Sequence, residues 1–419
     1  MSIFHNIYER LEDTAYVWRQ EMKQVFRDEG VLIFFIIVPL VYPLLYSWIY
    51  NNEVVHDVPV VVVDQSHSQQ SRQFIRMVDA SPDVKVLCYA DDLDEAESLV
   101  SRQVAKGVYL IPEDFGARLN KLQQAVVSVY CDMSLMLTYK AIYQTSVAVT
   151  QTMGSEIQRK VSGNYTARED LITTRPLDFE DVPIFNPAGG YGNFIIPAVL
   201  MLILQQTLIL GIGLAAGTSR ESSRYSDLVP INRCYGGIYR IVCGKALCYL
   251  MIYAVMAAYL TLVVPRIFSF IALIQWQNLL ALMVPYLLAC VFFGLTVSCL
   301  VHYRENVMLL VVFISVPLLF LTGVSWPQSA IPGFWQGISW LFPSTFGVRA
   351  FVRMNTLGGV LSDVLPEIRY LWIQAAAYFG TACIVYGVEL RLSRRHAQER
   401  LDYLRKKRQI RLHLKAKNV

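Results

Sequence analysis

The feature that most constrains this chain is a series of apolar runs long enough to cross a bilayer. A span needs ~20 apolar residues to traverse the hydrocarbon core. Six segments meet or approach that length: 31–50, 194–215, 246–264, 278–301, 306–322 and 370–388. A further apolar stretch, 323–345, is broken by Pro327, Pro332 and Pro343. It suits two short helices that dip into the membrane and return, because irregular backbone at membrane depth survives only where protein shields it. Charged residues make up 17% of the chain, well under the ~25% of soluble domains. The predicted fold class is an α-helical integral membrane protein: six transmembrane helices, a re-entrant helical hairpin, and an inserted α/β extracytoplasmic domain.

The insertion is visible in the charge. Residues 51–190 hold 12 Lys+Arg and 19 Asp+Glu, a net of −7, while the remainder holds 25 and 14, a net of +11. Orientation follows from basic residues beside the spans, which favour the cytosolic side. Arg10, Arg19, Lys23 and Arg27 precede the first span. Arg220, Arg224, Arg233, Arg240 and Lys245 lie between the second and third, and eleven Lys or Arg follow the last. Both termini are therefore expected in the cytosol, with 51–190 outside and the chain in the cell (inner) membrane. The first apolar run follows a charged stretch and lacks a small-residue cleavage site, so it reads as a retained anchor. The expected divisions are 1–30, a cytosolic amphipathic interface helix; 31–50, the first span; 51–190, the outer domain; 191–390, the five-helix remainder; and 391–419, a basic tail. That tail suits attraction to anionic lipid better than nucleic acid.

Within the outer block, strands are expected at 58–64, 84–89, 107–111 and 125–131. Helices are expected at 68–79, 91–105 and 134–160. This alternation predicts an α/β domain with a mainly parallel sheet. Cys88 and Cys131 fall near strand ends in this block, where an oxidising compartment would allow a disulfide; spacing does not establish the geometry. The other cysteines lie in or beside apolar runs and read as small hydrophobes. No Cys/His metal spacing appears. Asp64 and Ser66 after the first strand read as caps of the next helix, with a phosphate-binding turn as the alternative.

Two cytosolic segments are candidates for function. Over 14–29, Ala15, Trp18, Met22, Val25 and Phe26 form an apolar stripe, with Arg19, Glu21, Lys23, Gln24, Arg27 and Asp28 opposite. This is an amphipathic surface helix, either a simple anchor or a docking surface. The loop 216–245 is short and tied to a span at each end. It is either a passive connector or a transmitter of force from a soluble motor. The string Cys243-Gly244-Lys245-Ala246 lacks the Ser/Thr and first glycine of a phosphate-binding loop, and it reads as the start of the third span. ATP hydrolysis would thus belong to another polypeptide. Intramembrane carboxylates, which mark ion relays, are nearly absent. Gln205, Gln206 and Thr207 are the main polar features of the spans, suited to interhelical hydrogen bonds or to lining a path.

Four stretches together resemble the permease subunit of type-2 ABC exporters, in the branch with a large extracytoplasmic domain after the first span. They are Glu21 with FRDEG (26–30); VVVVDQSHSQQSRQF (60–74), GVYLIPEDF (107–115) and VYCDMS (129–134); Arg220-Glu221, Asp227-Leu228-Val229-Pro230 and Gly244-Lys245; and FLTGVSWPQSAIPGFWQGISWLFPSTFGVRAFVR (320–353). Ser222 and Ser223 depart from the family's charged residues after Glu221, and Met133 stands where glycine is common. The resemblance implies a transport subunit that is no enzyme itself and binds no cofactor, with ATP and Mg on a partner cytosolic ABC ATPase. It implies a second permease, as a homodimer or a similar chain. A periplasmic adaptor and outer-membrane channel are further expected partners. By the same resemblance, residues 221–230 form the coupling helix, with Glu221, Arg224, Tyr225, Leu228, Val229 and Pro230 meeting the ATPase. Trp18, Glu21, Met22, Arg27 and Asp28 belong to the interface helix, and Trp326, Pro327 and Pro332 to a re-entrant gate. Two competing functions remain at this level. One is a membrane-anchored sensor or scaffold using 51–190 as receptor; the other is a transporter driven by an ion gradient.

Overall fold

The computed structural model describes residues 2–51, 54–163, 166–175, 182, 184–186, 190–221, 237–301 and 303–417, of which 2–7, 9, 191, 221 and 392–417 by backbone alone. The chain divides into two compact units, Asn52–Gly189 and the remainder.

Among its described residues, the membrane unit contains six helices long and apolar enough to span: Glu29–Ile49, Gly192–Arg220, Ile238–Ile267, Trp276–Leu300, Arg304–Leu321 and Leu361–Arg391. The second is its centre, 89% buried, whereas the fifth is only 17% buried. A helix hydrophobic all round is buried in protein or faces lipid; here the second does the former and the fifth the latter. Glycines let neighbours approach the second span closely. A Cβ on Gly211 would lie 2.7 Å from the Phe35 ring, and one on Gly294 2.9 Å from Ile212. Phe35 in turn stacks on Tyr249 and meets Tyr253 edge-on, at centroid distances of 5.6 and 5.3 Å.

Two spans carry a wide π-turn beside a proline: Ile33–Ile37 before Pro39, and Tyr259–Val263 before Pro265. Proline removes a helical donor and crowds the carbonyl four residues back, and a local widening absorbs this. The Tyr259 hydroxyl donates to the Leu40 carbonyl at 3.0 Å, joining these two irregular regions.

The broken stretch after the fifth span holds a 3₁₀ turn, Gln328–Ala330, and a helix, Gly333–Ser339. A second helix, Pro343–Asn355, starts inside the expected 323–345 segment and ends ten residues beyond it. It extends because Phe346, Gly347, Val348, Ala350, Phe351 and Met354 are buried on it. The last helix continues unbroken from Leu365 to Lys417.

The second unit contains a four-stranded sheet of order β2-β1-β3-β4. Its strands are β1 (Val58–Asp64), β2 (Val84–Tyr89), β3 (Gly107–Ile111) and β4 (Ser128–Cys131). β1 is parallel to β2 and β3, and β4 is antiparallel to β3. Val58, Val60 and Val62 enter one core, and Val61 and Val63 a second. Burial on both faces explains the unbroken valine run. Cys88 and Cys131 lie on the two edge strands, and their side chains join different cores. Three inter-strand steps of ~4.8 Å separate them, far beyond disulfide reach, and both are free thiols. Asp64 Oδ1 accepts from the Ser66 and His67 amides at 3.1 Å each, and Oδ2 accepts from Ser71 Oγ at 2.7 Å. The helix cap itself is Ser68, which accepts from the Ser71 amide at 3.1 Å. Asp64 is thus a loop brace, and Ser66 Oγ accepts from the Gly116 amide at 3.3 Å, in the helix Phe115–Asn120, instead of capping the helix that follows β1.

Candidate functional site

The N-terminal helix, Ser2–Arg27, lies along the third span. Its buried stripe differs from the apolar one read in the sequence. Val17, Glu21 and Val25 are buried, with Trp18 and Met22 packed beside them, while Ala15 and Phe26 are exposed. Glu21, expected on the polar face, sits at the centre of the contact, 3% exposed. Its carboxylate receives Lys245 Nζ at 2.5 Å and the Tyr249 hydroxyl on its other oxygen. Lys245 and Tyr249 are one turn apart on the same helix face. Gly244 lets the backbones approach: a Cβ there would meet the Thr14 carbonyl and Val17 at 2.8 Å. A second pair, Arg240 Nη1 to Asp13 Oδ2 at 2.8 Å, ties the same two helices. The third span begins at Ile238, eight residues earlier than the apolar run suggested. Lys245 therefore lies inside it, its charge held by Glu21 rather than by water.

The other edge of the N-terminal helix meets the end of the second span. Gln24 Nε2 donates to the Ala215 carbonyl at 3.2 Å and to Ser219 Oγ. The next residue, Arg220, is 7% exposed. Its Nε reaches Glu389 Oε1 of the sixth span at 3.2 Å. Its Nη1 donates to the carbonyls of Ser298 and Val301, at 2.7 and 3.1 Å, where the fourth span ends. Fewer intramembrane charges were expected than these buried pairs supply. Buried charges persist when paired and hydrogen-bonded.

Asp28 caps the first span, accepting from the Gly30 and Val31 amides at 3.0 and 3.3 Å. It also faces Arg304 of the fifth span at 3.7 Å. Arg27 is exposed. A polar cavity of about 630 Å³ opens here, lined by Lys23, Arg27, Asp28, Thr218, Ser219 and Arg304 among others. Glu221 ends the second helix. Arg224, Tyr225, Leu228, Val229 and Pro230 lie outside the described residues.

Trp326, Pro327 and Pro332 are exposed and far in sequence from this cluster. Pro327 and Pro332 precede the 3₁₀ turn and the short helix, respectively. Gln205, fully buried, accepts from the Ser344 amide at 2.6 Å and so holds the first turn of Pro343–Asn355 against the second span. Thr207 bonds its own helix at Ile203. Gln205 thus serves as interhelical glue. Tyr286 donates to the Met201 carbonyl at 2.6 Å and packs on Gly347, where any Cβ would enter its ring.

Glu21, Gln24 and Gly244-Lys245 stand out in the sequence separately, without being joined, and Tyr249, Asp13 and Glu389 are not among the residues singled out there. The available signals were Lys245 and Tyr249 at helical spacing and a glycine beside them.

The sequence profile described as ABC-2 family transporter protein matches residues 30–384. A probable multidrug ABC transporter permease, YbhR of Escherichia coli strain K12, is 22% identical over 336 residues, 78% of this chain and 84% of that protein. Its counterpart in Escherichia coli O157:H7 aligns with the same identity and coverage. The chain is a multi-pass membrane protein that belongs to the ABC-2 family of transporter permeases.

Proposed function

We propose that this chain is the membrane-spanning subunit of an ATP-driven exporter in the inner membrane. A separate cytosolic ABC ATPase binds ATP and Mg and hydrolyses the nucleotide. Two permeases, identical or similar, pair in the bilayer with their termini in the cytosol and residues 51–190 outside. The cargo leaves the cytoplasm or inner membrane, and a periplasmic adaptor and outer-membrane channel extend the route. The relative's name, a multidrug permease, favours small drug-like cargo.

One observation carries the reading: the N-terminal helix is bonded to both arms of the 216–245 segment, the helix that ends at Glu221 and the helix that begins at Ile238. Gln24 holds the last turns of the arm entering the loop, through Ala215 and Ser219. Glu21 holds the arm leaving it, through Lys245 and Tyr249. A push on the loop, at Glu221, Arg224, Tyr225 or Leu228–Pro230, then moves three helices together. Arg220 passes the same displacement to the fourth and sixth spans. Trp326, Pro327 and Pro332 close the outer end. In proteoliposomes with the partner ATPase, deleting 221–230 is expected to abolish ATP-driven efflux. Unchanged efflux after the deletion would refute this mechanism.

A further inference from the structure

The unit Asn52–Gly189 contains an apolar cleft. It measures about 710 Å³ and lies between helix Met136–Ser162, strand β4 with the extended residues before it, and helix Phe115–Asn120. Phe74, Phe115 and Met153 form its floor and are buried, while Val126, Tyr143 and Val147 form exposed lips. Tyr139 and Tyr143 stack along one wall at a centroid distance of 5.9 Å.

Three properties point to the occupant. First, among the described residues no charged one lines the cleft, although the 51–190 block carries 12 Lys+Arg and 19 Asp+Glu. Two of the wall hydroxyls are also engaged by their own helix. Ser146 and Thr150 donate to the carbonyls of Ile142 and Ser146, each at 2.6 Å. A charged ligand would lose its hydration there and gain no partner. Second, Gly154 stands in the wall helix with nothing within 4 Å of where its Cβ would be. Glycine in a helix interior costs ~1 kcal/mol relative to alanine, and no close packing here requires it. Its consequence is room in the cleft. Third, the volume falls in the ~300–1,000 Å³ range of small-molecule sites. A stable protein partner needs ~800 Å² of surface on each side, more than one cleft of this size offers.

We propose that this cleft binds one small, uncharged, predominantly apolar molecule, with Gly154 keeping it open and the amides of Gln123, Gln124 and Gln151 at its rim.

The test uses benzophenone, a neutral aromatic photolabel that inserts into C–H bonds and favours methionine. The full chain in lipid nanodiscs is labelled and its adducts are mapped by peptide mass spectrometry. Saturable labelling of Met153 and the 139–157 face is expected. Gly154→Trp, which fills the space, should raise the half-saturating concentration about tenfold or more, as loss of ~1.4 kcal/mol of contact does. Gly154→Ala, which strengthens the helix and leaves room, should label like wild type and shows that position 154 tolerates change. Val147→Asp provides a second block at the lip. Labelling of the spans by lipid-dissolved probe should be unsaturable and equal in all variants. The proposal is overturned by unsaturable labelling at Met153, or by labelling indifferent to both Gly154→Trp and Val147→Asp. It is equally overturned by crosslinks showing the cleft already filled by another segment or a second copy. None of these readouts depends on transport, so the exporter reading stands or falls separately.

Discussion

Replacing Lys245 by alanine should detach the N-terminal helix from the third span. Glu21 and Lys245 are 3% and 5% exposed and 2.5 Å apart. Removing one member of such a pair leaves a buried charge without its counter-ion, which costs roughly 3–5 kcal/mol. Tyr249 still donates to Glu21, but that bond is present in the wild type as well and so offsets none of the loss. At roughly 2 °C per kcal/mol for a large domain, the melting temperature should fall by about 6–10 °C. Hydrogen exchange should rise across residues 10–27, while the 52–189 unit is unaffected. The double replacement Glu21→Gln with Lys245→Met removes both charges at similar volume and should return close to wild type. Thermal unfolding by fluorescence-detected size exclusion reads the first effect, and exchange mass spectrometry the second. If Lys245→Ala melts like wild type, or the double variant is as unstable as the single ones combined, the buried pair does not hold this helix.

Arg220→Met strands Glu389 and two carbonyl acceptors, so it should uncouple nucleotide hydrolysis from efflux while the chain still reaches the membrane; paired ATPase and efflux assays check this. Gly347→Ala drives a methyl into the Tyr286 ring, and overpacking of this kind costs about 1–3 kcal/mol, measurable as a lowered melting temperature. Tyr109 in β3 is pushed up to about 12, chiefly by burial, with the Ser146 hydrogen bond opposing and nearby Cys131 adding to the rise. The unfolded phenol loses its proton near ~10 while the folded one keeps it. The contribution is therefore complete below pH 10 and is lost between about 10 and 12, worth up to roughly 2–3 kcal/mol. Tyr109→Phe should abolish that step in melts of the 52–189 unit across this pH range.

Much of the fold was legible because the length of an apolar run and an unbroken run of β-branched valines are local signals. The first three strands match in the structure residue for residue, and β4 is shorter, beginning at Ser128. The spans were found, but the third was placed too late because Arg240 and Lys245 looked like flanking charge. Their partners, Asp13 and Glu21, are more than 220 residues away in sequence. The same distance hid the role of Glu21, since helical periodicity assigns a carboxylate to the wet face by default. The cysteine pair was undecidable locally because strand order alone puts Cys88 and Cys131 on opposite edges. The short helix before Pro343 followed from its prolines, whereas the length of the next helix depended on burial against Tyr286 and Gln205.

The most direct test of the central claim is efflux and hydrolysis measured together in proteoliposomes containing this chain and its partner ABC ATPase. The probe pair is wild type against a chain carrying Asp13→Ala, Glu21→Ala and Gln24→Ala, which removes these three residues' side-chain bonds from the N-terminal helix to both arms. The account predicts that hydrolysis continues while ATP-driven efflux falls to background. Efflux at the wild-type rate in this variant, or pumping by the wild-type chain with no ATPase present, would contradict it.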